Sequence, residues 1–163
     1  NDHTIVDMAR FAREKGHLLR FIEYMDVGTL NGWRMDHVVT AKEIVKTIHA
    51  ELPLEPIARN YDSETALRFR YKDGGGEIGV IASVTHPFCG DCSRLRLSPE
   101  GQIYTCLFAT HGTDLKAPLR AGASDEELLG LIASTWEARD DRYSEHRGGS
   151  AESERIQMYY IGG

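Results

Sequence analysis

The sequence predicts an α/β protein: a piece of a parallel α/β body, then a small antiparallel sheet that carries the cysteines, then a helix and a tail. Three observations predict this class. A helix signal that stops at Gly16 leads into an apolar run at residues 18–25, which is the order of a parallel α/β unit. Two later pairs of apolar runs flank turn residues, as antiparallel hairpins do. A capping box formed by Ser124 and Glu127 then begins another helix.

Local signals predict the first elements. Residues 1–4 indicate a helix cap, and apolar residues follow at helical spacing. The predicted buried face of this helix consists of Ile5, Met8, Ala9 and Ala12. In parallel α/β folds, functional side chains gather in the loop beyond the carboxyl end of a strand, which here is the segment 26–35. Thr40 and Glu43 form a capping box that predicts a further helix.

Two hairpins predict the antiparallel sheet. Residues 66–71 and 77–84 flank the turn Lys-Asp-Gly-Gly-Gly, and residues 94–97 and 102–108 flank the turn Ser-Pro-Glu-Gly. The three glycines lack the Lys-Ser/Thr pair and the helix of a phosphate-binding loop, so a hairpin turn is the better interpretation. The last predicted helix has an inner side formed by Leu128, Leu131, Ile132 and Trp136.

Composition and charge narrow the classes of function. The chain has 163 residues and a net charge of −6, and no apolar run in it is long enough to cross a bilayer. The negative charge argues against non-specific binding to nucleic acid or to an anionic membrane, so an anionic ligand needs local arginines. An odd number of cysteines without a secretory signal argues against a disulfide framework, and we expect a reducing, cytoplasmic location. Because Asn1 already belongs to a helix cap, we expect the C-terminal portion of a larger protein.

All three cysteines lie within one loop and one hairpin. Cys89 and Cys92 form a Cys-Gly-Asp-Cys turn, and Cys106 lies on the far arm of the next hairpin, so folding can return it to the pair. Three interpretations stay open. The cysteines could be ordinary buried residues, or they could hold structural zinc with His86 or His111 as the fourth ligand. They could also hold a four-iron cluster that leaves one iron open for substrate.

Two arginines follow the cysteine pair. In Arg94-Leu95-Arg96, the alternation of a strand directs both guanidiniums to one face. A single arginine at such a position is commonly a solvated surface residue, whereas two beside a metal loop favour a phosphate-binding fork. A triphosphate with one end near an open iron would account for both the arginines and the thiols.

These motifs resemble the C-terminal part of the molybdenum cofactor biosynthesis protein A family, the radical-SAM GTP 3′,8-cyclases. The similarity rests on the cysteine pair, the third cysteine after thirteen residues, the Arg-Leu-Arg, LRFIEYMDVG at residues 19–28, Asn-Gly-Trp at residues 31–33 and the terminal Gly-Gly. It covers essentially the whole chain in order. The resemblance implies that residues 1–56 are the last part of an incomplete radical-SAM (β/α) barrel. Residues 57–163 would then be a C-terminal iron–sulfur and substrate-binding region.

The resemblance also implies a lyase of molybdenum cofactor biosynthesis that converts GTP to 3′,8-cyclo-7,8-dihydro-GTP. In that family, an N-terminal 4Fe-4S cluster cleaves S-adenosyl-L-methionine to a 5′-deoxyadenosyl radical, and a C-terminal 4Fe-4S cluster holds the guanine at its open iron. The implied partners are the missing N-terminal barrel portion and a downstream cyclic pyranopterin monophosphate synthase. A homodimer is left open as the oligomeric state. Nucleic acid and membranes are not among them.

Carried over residue by residue, the resemblance implies that Cys89, Cys92 and Cys106 ligate the C-terminal cluster, and that Arg94 and Arg96 contact GTP. Two alternative functions remain for this region. A zinc-stabilised binding module would need a histidine ligand, and an auxiliary-cluster electron-transfer module would need no arginine pair.

The resemblance assigns roles outside the cysteine region as well. Met25 would touch S-adenosyl-L-methionine through its backbone, and Arg20 would line the cavity as a catalytic residue. The alternatives are a packed core methionine and an arginine in a structural ion pair with Glu23 or Asp26. Gly162 and Gly163 would reach the active site, with a frayed terminus as the alternative. The Cys-x3-Cys-x2-Cys motif of the family is absent from this chain, so we expect this portion alone to be inactive.

Overall fold

The strands of the chain form two separate sheets in the computed structural model, which describes residues 1–28, 30–147 and 156–161. The helices are α1 (Ile5–Glu14), α2 (Ala41–Glu51), α3 (Lys116–Arg120) and α4 (Asp125–Glu137). The strands are β1 (Leu19–Ile22), β2 (Leu54–Ile57), β3 (Leu67–Tyr71), β4 (Glu77–Ile81), β5 (Arg96–Leu97), β6 (Gln102–Tyr104) and β7 (Thr113–Asp114). Short 3₁₀ turns lie at Asp2–Thr4, Met35–His37 and Met158–Tyr160. The predicted mixture of helices and sheets is confirmed. None of the helices in these described ranges has the length and apolar content that crossing a membrane requires.

The chain divides into two units. The first comprises Asn1–Met25 and Trp33–Cys92, and the second comprises Asp26–Gly32 and Ser93–Gly163. The four-stranded sheet belongs to the first unit and the three-stranded sheet to the second. The boundary predicted after residue 56 falls inside β2, and the division into a barrel end and a cluster region stays a prediction.

The sheet of the first unit is mixed, with the strand order β1-β4-β3-β2. β1 runs parallel to β4, with Leu19 opposite Ile78, whereas the β3–β4 and β2–β3 pairs are antiparallel. The hairpin predicted around the triple glycine is thereby confirmed. It was predicted as part of the antiparallel sheet that carries the cysteines, however, and instead belongs to this mixed sheet, because β4 also pairs with β1. β2 lies at an edge, where Pro56 is tolerated because an edge residue need not donate to a second neighbour.

Helices α1 and α2 pack on this sheet and build the core of the first unit with it. Ala9 of α1 and Ile48 of α2 are completely buried. The predicted capping box of α2 is confirmed, because the Thr40 N–H donates to the Glu43 carboxylate at 2.8 Å and the Glu43 N–H donates to the Thr40 hydroxyl at 3.2 Å. Met8 was predicted on the buried face of α1 and is instead 45% exposed. The buried residues of α1 are Ile5, Ala9 and Ala12, whereas the Met8 side chain lines an open cavity beside β1.

The predicted stop of α1 is a Schellman motif. Gly16 adopts a φ of 68°, the His17 N–H donates to the Ala12 carbonyl at 2.8 Å, and the Gly16 N–H donates to the Arg13 carbonyl at 3.2 Å. A side chain at Gly16 would strain this left-handed conformation, so glycine allows the chain to turn from α1 into β1.

The sheet of the second unit consists of the predicted hairpin β5–β6, extended by β7. Gly101, at a φ of 82°, closes the turn, and its N–H donates to the Ser98 carbonyl at 2.9 Å. The two strands are shorter than predicted: β5 begins at Arg96 and β6 ends at Tyr104. Ile103 and Tyr104 are buried and anchor the sheet.

Helix α4 begins at the predicted capping box, where the Ser124 N–H donates to the Glu127 carboxylate at 2.7 Å. The predicted inner side of the helix is the less exposed one, but no residue of α4 is fully buried. The half-buried apolar residues are Leu128, Leu131, Ile132 and Trp136. The start of α4 is therefore defined by its capping box, whereas its apolar residues are only partly buried.

Candidate functional site

The first two cysteines share one turn. The Cys92 N–H donates to the Cys89 carbonyl at 3.3 Å, and both side chains are partly buried. Asp91, between them, forms an ion pair with Arg59 at 3.2 Å, which fastens the turn to the loop after β2. Two sulfur donors on a single turn have the chemistry and the local spacing to share one metal centre.

Cys106 lies two residues beyond the end of β6. Its side chain is partly buried, and the Phe108 backbone N–H donates to its sulfur at 3.4 Å. The Ala109 N–H donates to the Cys106 carbonyl at 3.2 Å, so the segment forms a turn around this residue. A sulfur that accepts a backbone N–H is in an environment that suits a thiolate ligand.

The complete three-cysteine ligand set stays a prediction. Cys89 and Cys92 belong to the first unit, and Cys106 belongs to the second. Among the residues that the structure describes, no group of three or more Cys, His, Asp or Glu side chains is placed to hold a metal ion. The zinc alternative gains no support either. His86 lines an apolar cavity of about 590 Å³ in the first unit, and the His111 ring lies 3.0 Å from the hydroxyl of the preceding threonine.

The structure corrects the strand argument for the two arginines. β5 begins at Arg96, so Arg94 precedes the strand, and strand alternation does not apply to the pair. The reason is that β5 contains only two residues opposite Ile103 and Tyr104 of β6. Arg96 is half-buried and Arg94 is exposed. Contact of both guanidiniums with a nucleotide stays a prediction.

Arg20 and Met25 lie on and just beyond β1. The exposed Arg20 side chain crosses Gly79 of β4, where a Cβ would lie 3.2 Å from the Arg20 Cγ. With Tyr24, it lines a cavity of about 370 Å³ beside β1. The half-buried Met25 lies in the loop after the strand, which is the region that the sequence argument expected to carry functional groups. Their catalytic and cofactor-binding roles stay predictions.

Glu23 is the buried charged group at the end of β1, with an exposed fraction of 1%. Its carboxylate accepts the Ala41 N–H at 2.6 Å, the Val84 N–H at 2.7 Å, and the N–H and hydroxyl of Thr85 at 2.8 and 2.6 Å. Burial alone would raise the pKa of Glu23, but the hydrogen bonds from Thr85, Ala41 and Val84 outweigh burial and lower the pKa. The carboxylate therefore joins β1 to the start of α2 and to the loop after β4, and it does not form the ion pair considered for Arg20.

A second buried cluster lies in the second unit, and the sequence did not predict it. Asp26 and Arg147 form an ion pair at 3.1 Å, and both side chains are almost fully buried. The Tyr143 hydroxyl donates to the Asp26 carboxylate at 2.6 Å, and the Tyr143 ring stacks on Phe108 with the ring centroids 4.2 Å apart. The one signal in the sequence was a carboxylate directly after an apolar run. Its tyrosine partner is 117 residues away, beyond the reach of any local pattern.

The predicted tail residues Gly162 and Gly163 lie outside the described residues. The described part ends at Ile161, which is completely buried. The Gln157 side chain occupies the space beside Gly28, which has a φ of 66° and where any Cβ would collide with it. These contacts fix the segment before the terminal glycines, whose approach to the active site stays a prediction.

Comparison with known proteins finds relatives along nearly the whole chain. The sequence profile of the family described as Molybdenum Cofactor Synthesis C matches residues 17–145. A protein of Acidothermus cellulolyticus named GTP 3′,8-cyclase is 50% identical over 159 residues, which cover 95% of this chain and 44% of that protein. Proteins of the same name from Synechococcus sp. (strain CC9902) and Xanthomonas campestris pv. campestris (strain B100) are 45% and 44% identical, over 100% of this chain and 48% of each relative. The chain thus spans about half the length of the curated relatives it matches.

Proposed function

This chain belongs to the Molybdenum Cofactor Synthesis C family, and from that premise we propose that it is the C-terminal, GTP-binding portion of a GTP 3′,8-cyclase. The resemblance predicted from the cysteine and arginine motifs is confirmed. One observation carries the proposal: Cys89 and Cys92 lie partly buried on a single turn, directly before two arginines, in a chain whose relatives bear that name.

The proposed activity belongs to the whole protein, a cytoplasmic lyase of molybdenum cofactor biosynthesis that acts on GTP. The chain spans about half of its relatives and contains no Cys-x3-Cys-x2-Cys motif. The proposal therefore assigns the cleavage of S-adenosyl-L-methionine, and the first 4Fe-4S cluster, to residues outside this sequence. On this account residues 1–56, which include β1, are the last part of an incomplete barrel, and the portion alone has no cyclase activity.

In this proposal the three cysteines hold a second 4Fe-4S cluster. When bound, that cluster supplies an open iron site that holds the guanine of GTP. Arg94 and Arg96 bind the triphosphate, because their guanidiniums supply local positive charge in a chain whose net charge is −6. The loop backbone at Met25 contacts S-adenosyl-L-methionine, and Arg20 lines the reaction cavity.

Reconstitution tests the cluster. We expect the protein, treated anaerobically with iron and sulfide, to show broad absorbance near about 400 nm and to bind roughly four irons per chain. Cys106→Ser should abolish stable uptake, whereas His86→Ala and His111→Ala should retain it. Stoichiometric zinc without competence for iron would contradict the proposal and favour the zinc-stabilised module.

Nucleotide binding tests the arginines and excludes a purely electron-transferring cluster. We expect the double change Arg94→Ala and Arg96→Ala to leave the iron content intact and to weaken GTP binding by about 3 kcal/mol, since two charge-assisted hydrogen-bonding groups are lost. Calorimetric titration of the reconstituted protein with GTP measures this. Arg70→Ala is the matched control, because Arg70 is an exposed arginine on β3 that pairs with Glu55. Equal GTP affinity in the wild-type protein, the double variant and Arg70→Ala would contradict the proposed role of Arg94 and Arg96.

A further inference from the structure

The buried cluster of the second unit contains an ion pair that is costly to bury. The side chains of Asp26 and Arg147 are 7% and 12% exposed, and the charged atoms lie 3.1 Å apart. Removing two charges from water is repaid only when the geometry is held by further contacts. Here the Tyr143 hydroxyl supplies such a contact, at 2.6 Å from the second oxygen of Asp26.

Two of these residues, Tyr143 and Arg147, contact the ring of Phe108. The Tyr143 ring stacks on the Phe108 ring with an interplanar angle of 22°, and the Arg147 guanidinium carbon lies 5.9 Å from the centroid of that ring. Both groups are fastened to one carboxylate, so the Phe108 ring cannot shift without disturbing a buried charge.

Phe108 in turn contacts a predicted cluster ligand. Its backbone N–H donates to the Cys106 sulfur at 3.4 Å, so the residue whose ring is held by Tyr143 and Arg147 also supplies this hydrogen bond. We infer that Asp26, Tyr143 and Arg147 are positioning residues, which act through Phe108 to fix and shield the sulfur of Cys106. The inference rests on the proposed role of Cys106 as a ligand, and it deepens that role, because N–H donors to sulfur tune a cluster.

The test measures the cysteines one by one in the metal-free, reduced protein. Iodoacetamide is applied under native conditions, and mass spectrometry follows the alkylation rate of each cysteine peptide. We expect Asp26→Asn and Phe108→Leu to raise the Cys106 rate roughly three- to tenfold, because a loosened Phe108 leaves the sulfur open to the reagent more often. Tyr143→Phe keeps the ring stack and should have a smaller effect in the same direction.

Two matched controls separate this effect from general loosening. Glu145→Gln removes a carboxylate from the same segment, where it pairs with the exposed Arg142. Phe11→Leu makes the same aromatic change at a residue of α1 that is 53% exposed. Neither should alter the Cys106 rate, and the rates of Cys89 and Cys92 should stay constant throughout.

Two results would overturn the inference. The first is an unchanged Cys106 rate in both Asp26→Asn and Phe108→Leu. The second is an equal rise at all three cysteines, which would mean that Asp26, Tyr143 and Arg147 contribute only to overall stability. Reconstitution of the same variants keeps this outcome distinct from that of the proposed function. If the wild-type protein takes up no iron, the proposed function fails while the alkylation pattern still decides the inference. If iron binds and the Cys106 rate does not respond, the inference alone fails.

Discussion

At the scale of single residues, Glu23 shows how a charged group can belong to a core. An isolated buried carboxylate would be too costly to retain. Here three backbone N–H groups and one hydroxyl satisfy it, and one of these N–H groups belongs to Ala41 at the first turn of α2, where a negative charge is favoured. The Glu23 side chain therefore has a structural role, and the exposed Arg20 on the preceding strand β1 is left for other roles.

We expect Glu23→Gln to lower the free energy of unfolding by about 2–4 kcal/mol, because a side-chain NH₂ group would face donors that need an acceptor. Urea denaturation followed by circular dichroism measures this loss. Glu14→Gln, at an exposed glutamate of α1, is the control and should change stability by less than about 0.5 kcal/mol. Equal losses in the two variants would show that the hydrogen bonds of Glu23 contribute nothing specific.

The pKa of Glu23 gives the stability a pH dependence of definite sign. Since the folded pKa is lowered from 4.5, the stabilisation is fully present above that pH and is lost as pH falls through the folded pKa. We expect the unfolding free energy of the wild-type protein to fall more steeply below pH 4.5 than that of Glu23→Gln. Parallel curves in urea titrations at pH 3 to 7 would contradict this.

At the scale of elements, the sequence predicted the helix ends and turns that depend on neighbouring residues. Two capping boxes, the glycine stop of α1 and both hairpins follow from residues close in sequence. The short strand β2 escaped prediction because Pro56 argues against a strand, and only its place at a sheet edge permits it. Helix α3 contains Pro118 and was missed for a similar reason. The parallel β1–β4 pair joins distant segments, so no local pattern could identify β4 as the partner.

The candidate site divides in the same way. The sequence identified the cysteine turn through spacing and residue chemistry, because a Cys-x2-Cys pair needs no distant contact. The pairing of Asp26 with Tyr143 depends on folding across 117 residues and could not be predicted. The strand assignment of Arg94 was wrong because hairpin length depends on the packing of both arms.

The two capping boxes should differ in their effect because only α2 contributes fully buried residues. We expect Thr40→Ala to lower the global free energy of unfolding by about 1 kcal/mol. Ser124→Ala should instead show mainly as faster amide hydrogen exchange in the first turns of α4, with a smaller global effect. Thr47→Ala, an exposed change within α2, is the control and should be neutral or slightly stabilising. Identical global losses for both caps would contradict this difference.

At the scale of the whole molecule, strand β1 forms one edge of the sheet in the first unit. Within the described residues β1 pairs with β4 alone, and Leu18, Ile22 and Tyr24 beside it are exposed. An exposed apolar edge strand is a template for pairing with another strand. The chain spans about half of its relatives, which agrees with the proposal that this edge receives a further strand in the complete protein.

Isolated from such a strand, the chain should associate through this edge. We expect Ile22→Lys to weaken concentration-dependent self-association at least severalfold, because a charge on an edge strand opposes pairing. Sedimentation velocity over a range of concentrations measures it. Leu129→Lys, at a 66% exposed leucine of α4, is the control and should leave the association unchanged. A comparable loss in the control would point to non-specific apolar contact.

The assignment of residues 26–32 to the second unit, between two stretches of the first, also has an evolutionary consequence. A crossover point placed after Cys92 would not exchange one unit cleanly, because the donor of the first unit would bring seven foreign residues into the second. A single exchange at that point therefore cannot transfer either unit whole.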